Sequence, residues 1–560
     1  MLKICTVLFV ASAMGMALPA QATSQTRIAD LLRGYVQSGP QIDTAAPSVD
    51  TGQAVNPLLI APTDPTFLAD NCPHLAQLRT SDLATTLAIL YQHNDFAPLW
   101  GDPAQLNALR TELAKLADDG LTPGDYPFSQ GVSGTLDACA ELHISSEYLL
   151  ALEHLGTGRL DQQVHEPMWR EDSSLKRPTA LNRWAQRGLN DVPAAFDLAR
   201  PHLDLYRNLR TSYIRLRDEP ADYAPLPPGD LVRPGMQSPR VTLLAKRLES
   251  EGYLAEIGLL SDNTDPVSTL TPALEHALKR FQTAHGLDAD GVLGPDTLTA
   301  MNVTARERLQ LARINLERLR WINALREDEV LLVNNAINTL RHYRKDDVLW
   351  HTLVISGRAG RKTPALVSHL NRITLNPDWT VPPTIRREDM IPAIRKDRAY
   401  LQEKNLIVLD YQGNHLDPET IDWQNPQGLM LRQPPGPSNP LGKVVFRFNN
   451  PFSVYLHDTP NKNAFARSRR NLSSGCVRVE GADILADRLF SHLSASNQER
   501  IKQQRSSLQT HQIALTEGPQ VILGYWTAEA NTAGQLVLML DPYSQDPALL
   551  EAFAGIDPPP

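Results

Sequence analysis

The segment Ser453-Val454-Tyr455-Leu456-His457-Asp458-Thr459, followed by Asn471-Leu472-Ser473-Ser474-Gly475-Cys476-Val477-Arg478-Val479, holds the densest chemical information in the chain. Val454 to His457 alternates in the period of a half-buried strand, and a strand end sets its last side chain at the mouth of a sheet. A free thiol is only a few per cent ionised at neutral pH, so a reactive cysteine needs a base or a positive environment. His457 stands nineteen residues before Cys476, and Arg467, Arg469, Arg470 and Arg478 make the stretch basic, which favours the thiolate. Gly475 can take a positive φ and, with the amide of Cys476, form an oxyanion hole. Taken singly, Cys476 reads as a small buried hydrophobe and His457 as a turn residue. Their joint occurrence with Ser-x-Gly-Cys points instead to nucleophilic acyl chemistry.

Outward from this segment the strand pattern continues. Val330-Leu331-Leu332-Val333 and Val348 to Ser356 read as strands separated by the turn residues Lys345-Asp346-Asp347. Further β-branched and aromatic runs fall at Val444–Phe448, Ser453–Leu456 and Val521–Tyr525. Residues 384–440 interrupt them with two helical stretches and the Pro434–Pro440 loop. We read 325–545 as a mainly β domain with an insertion at about 384–440, followed by a tail, 546–560. A charged helix over 303–324, from Arg306 to Arg320, connects it to what precedes.

The N-terminal half is helical in period. Leu83, Leu87, Leu90 and Tyr91 form one stripe, and Leu106, Leu109, Leu113 and Leu116 a second that stops at Asp118-Asp119-Gly120. This predicts an all-helical region over 71–219. Six prolines between Pro220 and Pro239 mark a stiff linker, 220–236, and a boundary. The next unit, 237–302, has a helix with Val241, Leu244 and Leu248 on one face. A second helix is opened by Thr271-Pro272 and carries Leu274, Ala277, Leu278 and Phe281, and a third starts after Gly294-Pro295.

Composition bounds the rest. With 560 residues, 42% hydrophobic and 21% charged, the chain supports about three or four domains and excludes full disorder. Lys+Arg of 54 against Asp+Glu of 63 argues against a dedicated nucleic-acid binder. Lys3, the uncharged run Ile4 to Leu18 and the Ala20-Gln21-Ala22 site read as an export signal over 1–22, followed by a flexible leader, 23–70. The mature chain is therefore expected outside the cytoplasm, with three cysteines. Cys72 and Cys139 could pair or remain buried thiols, and Cys476 is left over. The fifteen histidines are dispersed, without zinc-ligand spacing, and no cofactor is expected.

The strings Leu278 to Leu287 and Asp290-Gly291-Val292-Leu293-Gly294-Pro295-Asp296-Thr297 resemble the three-helix peptidoglycan-binding domain. His457 with Ser473-Ser474-Gly475-Cys476-Val477-Arg478 resembles the L,D-transpeptidase (YkuD) catalytic domain, whose pattern is a His followed by Ser/Thr-x-Gly-Cys-x-Arg. Arg361-Lys362-Thr363-Pro364, Asn376-Pro377, Trp379 and Asn439-Pro440-Leu441-Gly442 agree with it, and the domain order looks like the YcbB-type enzymes. The fold class implied is multidomain α+β. It combines a mainly β catalytic domain bearing an inserted lid, a three-helix peptidoglycan-binding domain and an all-helical N-terminal scaffold domain.

The resemblance implies roles for individual residues. Cys476 would be the nucleophile and His457 its base, oriented by the backbone carbonyl of Ser473. The amides of Gly475 and Cys476, helped by the Tyr455 hydroxyl, would hold the oxyanion. Arg478 would order the loop or face a substrate carboxylate, with Ser474 and Trp379 also at the substrate. It further implies periplasmic 3→3 cross-linking of peptidoglycan stem peptides through a thioester, with no metal. Cell-wall synthases would be partners and carbapenems inhibitors. The alternatives are an L,D-carboxypeptidase, a Cys/His endopeptidase (which usually places its cysteine first) and a non-catalytic wall-binding scaffold.

Overall fold

The chain divides into two units, one of residues up to 117 with 121–155 and 177–200, the other of 118–120, 156–176 and 201–560. The computed structural model describes residues 27–32, 72, 81–130, 136–171, 178–219, 224–254, 268–532 and 534–556. The expected export signal lies outside the described residues, as does most of the expected leader.

In the first unit the two leucine stripes become helices Ser81–His93 and Pro103–Lys115. Asp102 caps the second by accepting from the Ala104 amide. Leu83, Leu87, Tyr91, Leu109, Leu113 and Leu116 share one buried core, which also takes Ile28 and Leu32 from within the expected leader. Cys72 and Cys139 are joined by a disulfide, Cα–Cα 5.5 Å.

In the second unit, helices Arg240–Ser250, Pro272–Ala284 and Pro295–Met301 pack through Val241, Leu244, Leu248, Leu274, Leu278 and Phe281. Helix Ala305–Leu325 opens on a reciprocal cap, in which Thr304 Oγ1 accepts from the Glu307 amide and the Glu307 carboxylate accepts from the Thr304 amide. Most of the charges of this connecting helix are inside. Arg318 bonds Glu166 and Asp546 at 2.6 and 2.5 Å, and Arg320 bonds Glu317 at 2.6 Å with both side chains fully buried. Asp546 opens helix Asp546–Ile556, in the stretch expected as a tail, whose Leu549 and Phe553 pack on Ile314 and Trp321.

Sixteen strands follow in chain order among the described residues. They are β1 (Trp169–Arg170), β2 (Glu329–Asn334), β3 (Thr339–Arg344), β4 (Asp347–Gly357), β5 (Leu366–Leu375), β6 (Trp379–Thr380), β7 (Ile407–Asp410) and β8 (Leu429–Gln433). After them come β9 (Val444–Phe448), β10 (Leu456–His457), β11 (Asn471–Ser473), β12 (Val477–Val479), β13 (His511–Ala514), β14 (Gln520–Gly524), β15 (Ala528–Ala530) and β16 (Leu536–Leu538). The main sheet runs β1-β5-β14-β2-β3-β4-β12-β10-β9, and β9 pairs back onto β5. Residues 366–369 of β5 pair with β14 and 370–375 with β9, so the path closes on itself.

Strands β2 and β14 are buried on both faces. Leu331, Val333, Val521 and Leu523 face one core, while Val330, Leu332 and Ile522 face a second that includes Ala312, Leu316 and Ile322 of helix Ala305–Leu325. That explains their unbroken apolar runs. Strands β9, β10 and β12 turn one face into the same core as β2 and β14. Val444, Phe446, Phe448, Leu456, Val477 and Val479 join the core filled by Leu485 and Leu489 of helix Ala482–Phe490.

The insertion contains helices Ile391–Lys396 and Ala399–Glu403 and also a three-stranded sheet, β6-β8-β7. The sequence reading expected helices and a loop there, because four- and five-residue strands are too short to show a period. Its core of Trp379, Ile394, Leu401, Trp423 and Leu431 continues onto Val445 and Tyr455, the outer face of β9 and β10.

The Arg320–Glu317 pair makes the first prediction. Arg320→Met leaves a buried carboxylate without its counter-charge and should lower stability by about 3–5 kcal/mol, read from urea unfolding. Adding Glu317→Leu should recover part of the loss.

Candidate functional site

The site is assembled by strand alternation. Leu456 pairs with Val477 and His457 with Arg478 in the parallel β10–β12 register, and the Val477 amide donates to the Tyr455 carbonyl at 3.1 Å. On the other side β10 pairs antiparallel with β9, Leu456 with Phe446 and His457 with Val445. Because Leu456, Val477 and Phe446 turn into the core, Tyr455, His457, Cys476, Arg478 and Arg447 share the opposite face. Strand β10 is shorter than the expected Ser453–Leu456 run. Ser453 has φ +55°, and Asn450 organises the turn before it, its Oδ1 accepting from the amides of Phe452 and Val454.

His457 is buried, and its Nδ1 lies 2.5 Å from the Asp458 carbonyl. A carbonyl can only accept, so the proton sits on Nδ1 and Nε2 keeps its lone pair. This replaces the expected bond to the Ser473 carbonyl, which accepts instead from the Arg358 amide at 3.0 Å. The Asp458 carboxylate in turn accepts from the Lys443 amide and from the Lys462 ammonium. Burial, and then the Arg478 charge, pull the imidazole down to about 3, so it is neutral across the physiological range.

Cys476 is half-buried, and its thiol faces the Ser453 carbonyl at 3.8 Å. Burial pushes the thiol up, against the pull of the Tyr455 amide and hydroxyl and of the Arg447 and Arg478 charges. Of the four arginines expected to favour the thiolate, Arg478 pulls that way, but burial outweighs it. Arg467 is exposed, Arg469 pairs with Asp296 at 2.6 Å, and Arg470 donates to the carbonyls of Arg467, Ser468 and Ile337. The two guanidiniums that act on the sulfur sit on strands, and Arg447 was missed. A lone charge inside the apolar run Val444–Phe448 is the signal that marks it. Its guanidinium lies 5.1 Å from the Tyr455 ring centre. Neither Arg447 nor Arg478 has an acidic partner among the described residues, and the buried Arg478 Nε has no hydrogen-bond acceptor there.

The turn before the thiol is tied by its own side chain. Ser473 Oγ accepts from the Gly475 amide at 3.1 Å and donates to the Cys476 carbonyl at 2.5 Å. Gly475 has φ +120°, a conformation that an L side chain rarely adopts. The Gly475 amide, expected as an oxyanion donor, is thus occupied, whereas the Cys476 amide has no acceptor among the described residues. The Tyr455 ring lies 5.7 Å from that of His457, its hydroxyl faces the sulfur, and burial and the sulfur's charge push its phenol well above the ordinary range. Trp379, expected at the substrate, is buried in the lid core with its indole N–H approaching that hydroxyl. Ser474 is exposed and accepts from Arg361 at 3.0 Å, and Arg361 also binds Glu388 and Asp389 of the lid. Among the described residues no group of three His, Cys, Asp or Glu side chains could hold a metal ion.

Residues 328–494 match the profile of the L,D-transpeptidase catalytic domain (YkuD), 237–301 that of a peptidoglycan-binding domain and 85–212 that of a Scaffold domain. The chain carries a YkuD L,D-transpeptidase catalytic domain and a peptidoglycan-binding domain. A Haemophilus influenzae protein named "Putative L,D-transpeptidase" is 35% identical over 240 residues, 42% of this chain and 48% of its own. The chain therefore spans about half the length of this curated relative. The solved L,D-transpeptidase from Mycobacterium smegmatis is similar at 13% identity over 35% of this chain and 58% of that one, with a TM-score of 0.16. That from Xylanimonas cellulosilytica is similar at 15% identity over 53% and 98%, with a TM-score of 0.17. Scores this low add nothing on the fold of the YkuD domain.

A neutral thiol that shares a strand face with a neutral imidazole has a kinetic signature. Alkylation of Cys476 by iodoacetamide should rise with pH in one step centred above the ordinary thiol range of about 8.5. A plateau of reactivity reaching into acid pH would instead show a preformed thiolate–imidazolium pair.

Proposed function

We propose that this chain is an exported peptidoglycan L,D-transpeptidase that forms 3→3 cross-links through a thioester on Cys476. The observation that carries the reading is the shared outer face of β10 and β12, onto which the register turns a thiol, an imidazole with a free Nε2 lone pair, a phenol and a guanidinium whose buried Nε has no acceptor among the described residues. A neighbouring peptidoglycan-binding domain supports a cell-wall substrate. The Cys72–Cys139 disulfide supports an oxidising compartment, the periplasm in this reading.

In the first step the Cys476 thiol turns from the Ser453 carbonyl toward His457 and attacks the amide between diaminopimelate and the terminal D-alanine of a tetrapeptide stem. Its proton passes to Nε2 of His457. The oxyanion is held by the Cys476 amide and the Tyr455 hydroxyl. Collapse of the intermediate breaks the C–N bond, the imidazolium returns its proton to the leaving amine, and D-alanine departs. In the second step the side-chain amine of another stem's diaminopimelate attacks the thioester, His457 takes its proton, and the thiol is regenerated. Carbapenems would acylate the same sulfur, and wall synthases would supply the stems.

The half-buried guanidiniums of Arg447 and Arg478, without acidic partners among the described residues, suit a carboxylate of the donor stem, since a partly desolvated cation without a counter-charge gains from an anionic ligand. Incubation with disaccharide-tetrapeptide, followed by mass spectrometry, tests the function. A dimer that has lost one D-alanine is expected, while tripeptide alone would make the enzyme a carboxypeptidase and unchanged muropeptide would remove the proposal. Cys476→Ala should abolish turnover, and His457→Ala should slow it by about 10²–10⁴-fold. Arg447→Gln should lower kcat/KM about tenfold or more, the loss of one charged hydrogen bond.

A further inference from the structure

The oxyanion site depends on one backbone amide, and the direction of that amide is set from outside the Ser-Ser-Gly-Cys turn. The peptide unit between Gly475 and Cys476 is planar and trans, so its carbonyl and its N–H point in opposite directions. Whatever holds the Gly475 carbonyl therefore aims the Cys476 amide. Thr363 Oγ1 donates to the Gly475 carbonyl at 2.8 Å. The donor can be assigned, because the same hydroxyl accepts from the Gly357 amide at 2.8 Å and has a single proton to give.

Thr363 is itself held by a residue 49 positions beyond the matched YkuD region. Tyr543 Oη donates to the Gly357 carbonyl at 2.7 Å and accepts from the Thr363 amide at 3.2 Å, bridging the two ends of the loop 357–363. Lys362 Nζ donates to the Tyr543 carbonyl at 2.7 Å, and the Tyr543 ring stacks on that of Tyr525 at 5.4 Å. The bridge requires glycine at 357, since a Cβ there would lie 2.6 Å from the Thr363 nitrogen. Tyr543, Thr363 and Ser473 are buried, so no water competes for these bonds.

We propose that Thr363 is a positioning residue, locked by Tyr543, that aims the Cys476 amide at the developing oxyanion. The proposal rests on Cys476 being the acylated nucleophile. With Ser473 holding the Cys476 carbonyl and Thr363 the Gly475 carbonyl, both peptide planes flanking the nucleophile are fixed before substrate arrives.

Two reactions of the same sulfur separate positioning from general damage. Acylation by disaccharide-tetrapeptide passes through an oxyanion. Alkylation by iodoacetamide is a displacement at a saturated carbon, in which the C–S bond forms as iodide leaves, and it uses no oxyanion donor. Thr363→Val should slow single-turnover acylation, followed as D-alanine release, by about 100-fold and leave the alkylation rate unchanged. Thr363→Ser should restore acylation, and Tyr543→Phe should show a smaller loss of the same selective kind. Should Thr363→Val fail to fold, Tyr543→Phe carries the comparison. Unchanged acylation in these variants, or equal loss of acylation and alkylation, would overturn the proposal. A wild-type protein that is alkylated but never acylated would remove the transpeptidase reading itself.

Discussion

The site depends on the period-two geometry of three short neighbouring strands. In β9, β10 and β12 every second side chain is sealed into the barrel core, which leaves the alternate positions on one outer face. Five residues separated by up to 31 positions in sequence, from Arg447 to Arg478, are brought onto that one face. A slip of one residue in the pairing would send His457 and Cys476 inward and Leu456 and Val477 out, so the cost of exposing that core is also what keeps the chemistry in register.

Placement on a half-covered face sets the electrostatics. The lid core reaches Tyr455 and Val445, and in that low-dielectric setting the uncharged forms of both thiol and imidazole are favoured. The thiol thus keeps its proton and His457 Nε2 its lone pair in the structure as it stands. Such a site is served better by fixed dipoles and nearby cations than by a standing ion pair. The Cys476 amide, the Tyr455 phenol and the guanidiniums of Arg447 and Arg478, which have no acidic partners among the described residues, provide them.

Much of the architecture was legible in the residues. The leucine stripes, the Thr271 cap and the alternation of Val454 to His457 each report a local period or a local cap. What misled was burial. Arg306 to Arg320 reads as a charged connecting helix, and only the structure shows that Arg318, Arg320 and Glu317 are inside, neutralised by residues as distant as Asp546. The basic loop between His457 and Cys476 looks like a thiolate-stabilising field, yet Arg467, Arg469 and Arg470 turn elsewhere, while Arg447 approaches from another strand.

The sequence by itself determined the longer helices, most of the longer strands and the candidate thiol and imidazole, because helix and strand periods, caps and thiol chemistry are properties of neighbouring residues, whereas the short strands of the lid and the helix Asp546–Ile556 escaped it. Tertiary structure alone decided which carbonyl orients His457, which amide near Cys476 is free, and which arginines face the sulfur. Those outcomes follow from strand register and from contacts across a hundred residues or more, such as Thr363 with Gly475 and Tyr543 with Gly357. No local pattern encodes them, since a hydrogen bond between distant segments depends on where the closed sheet brings each backbone.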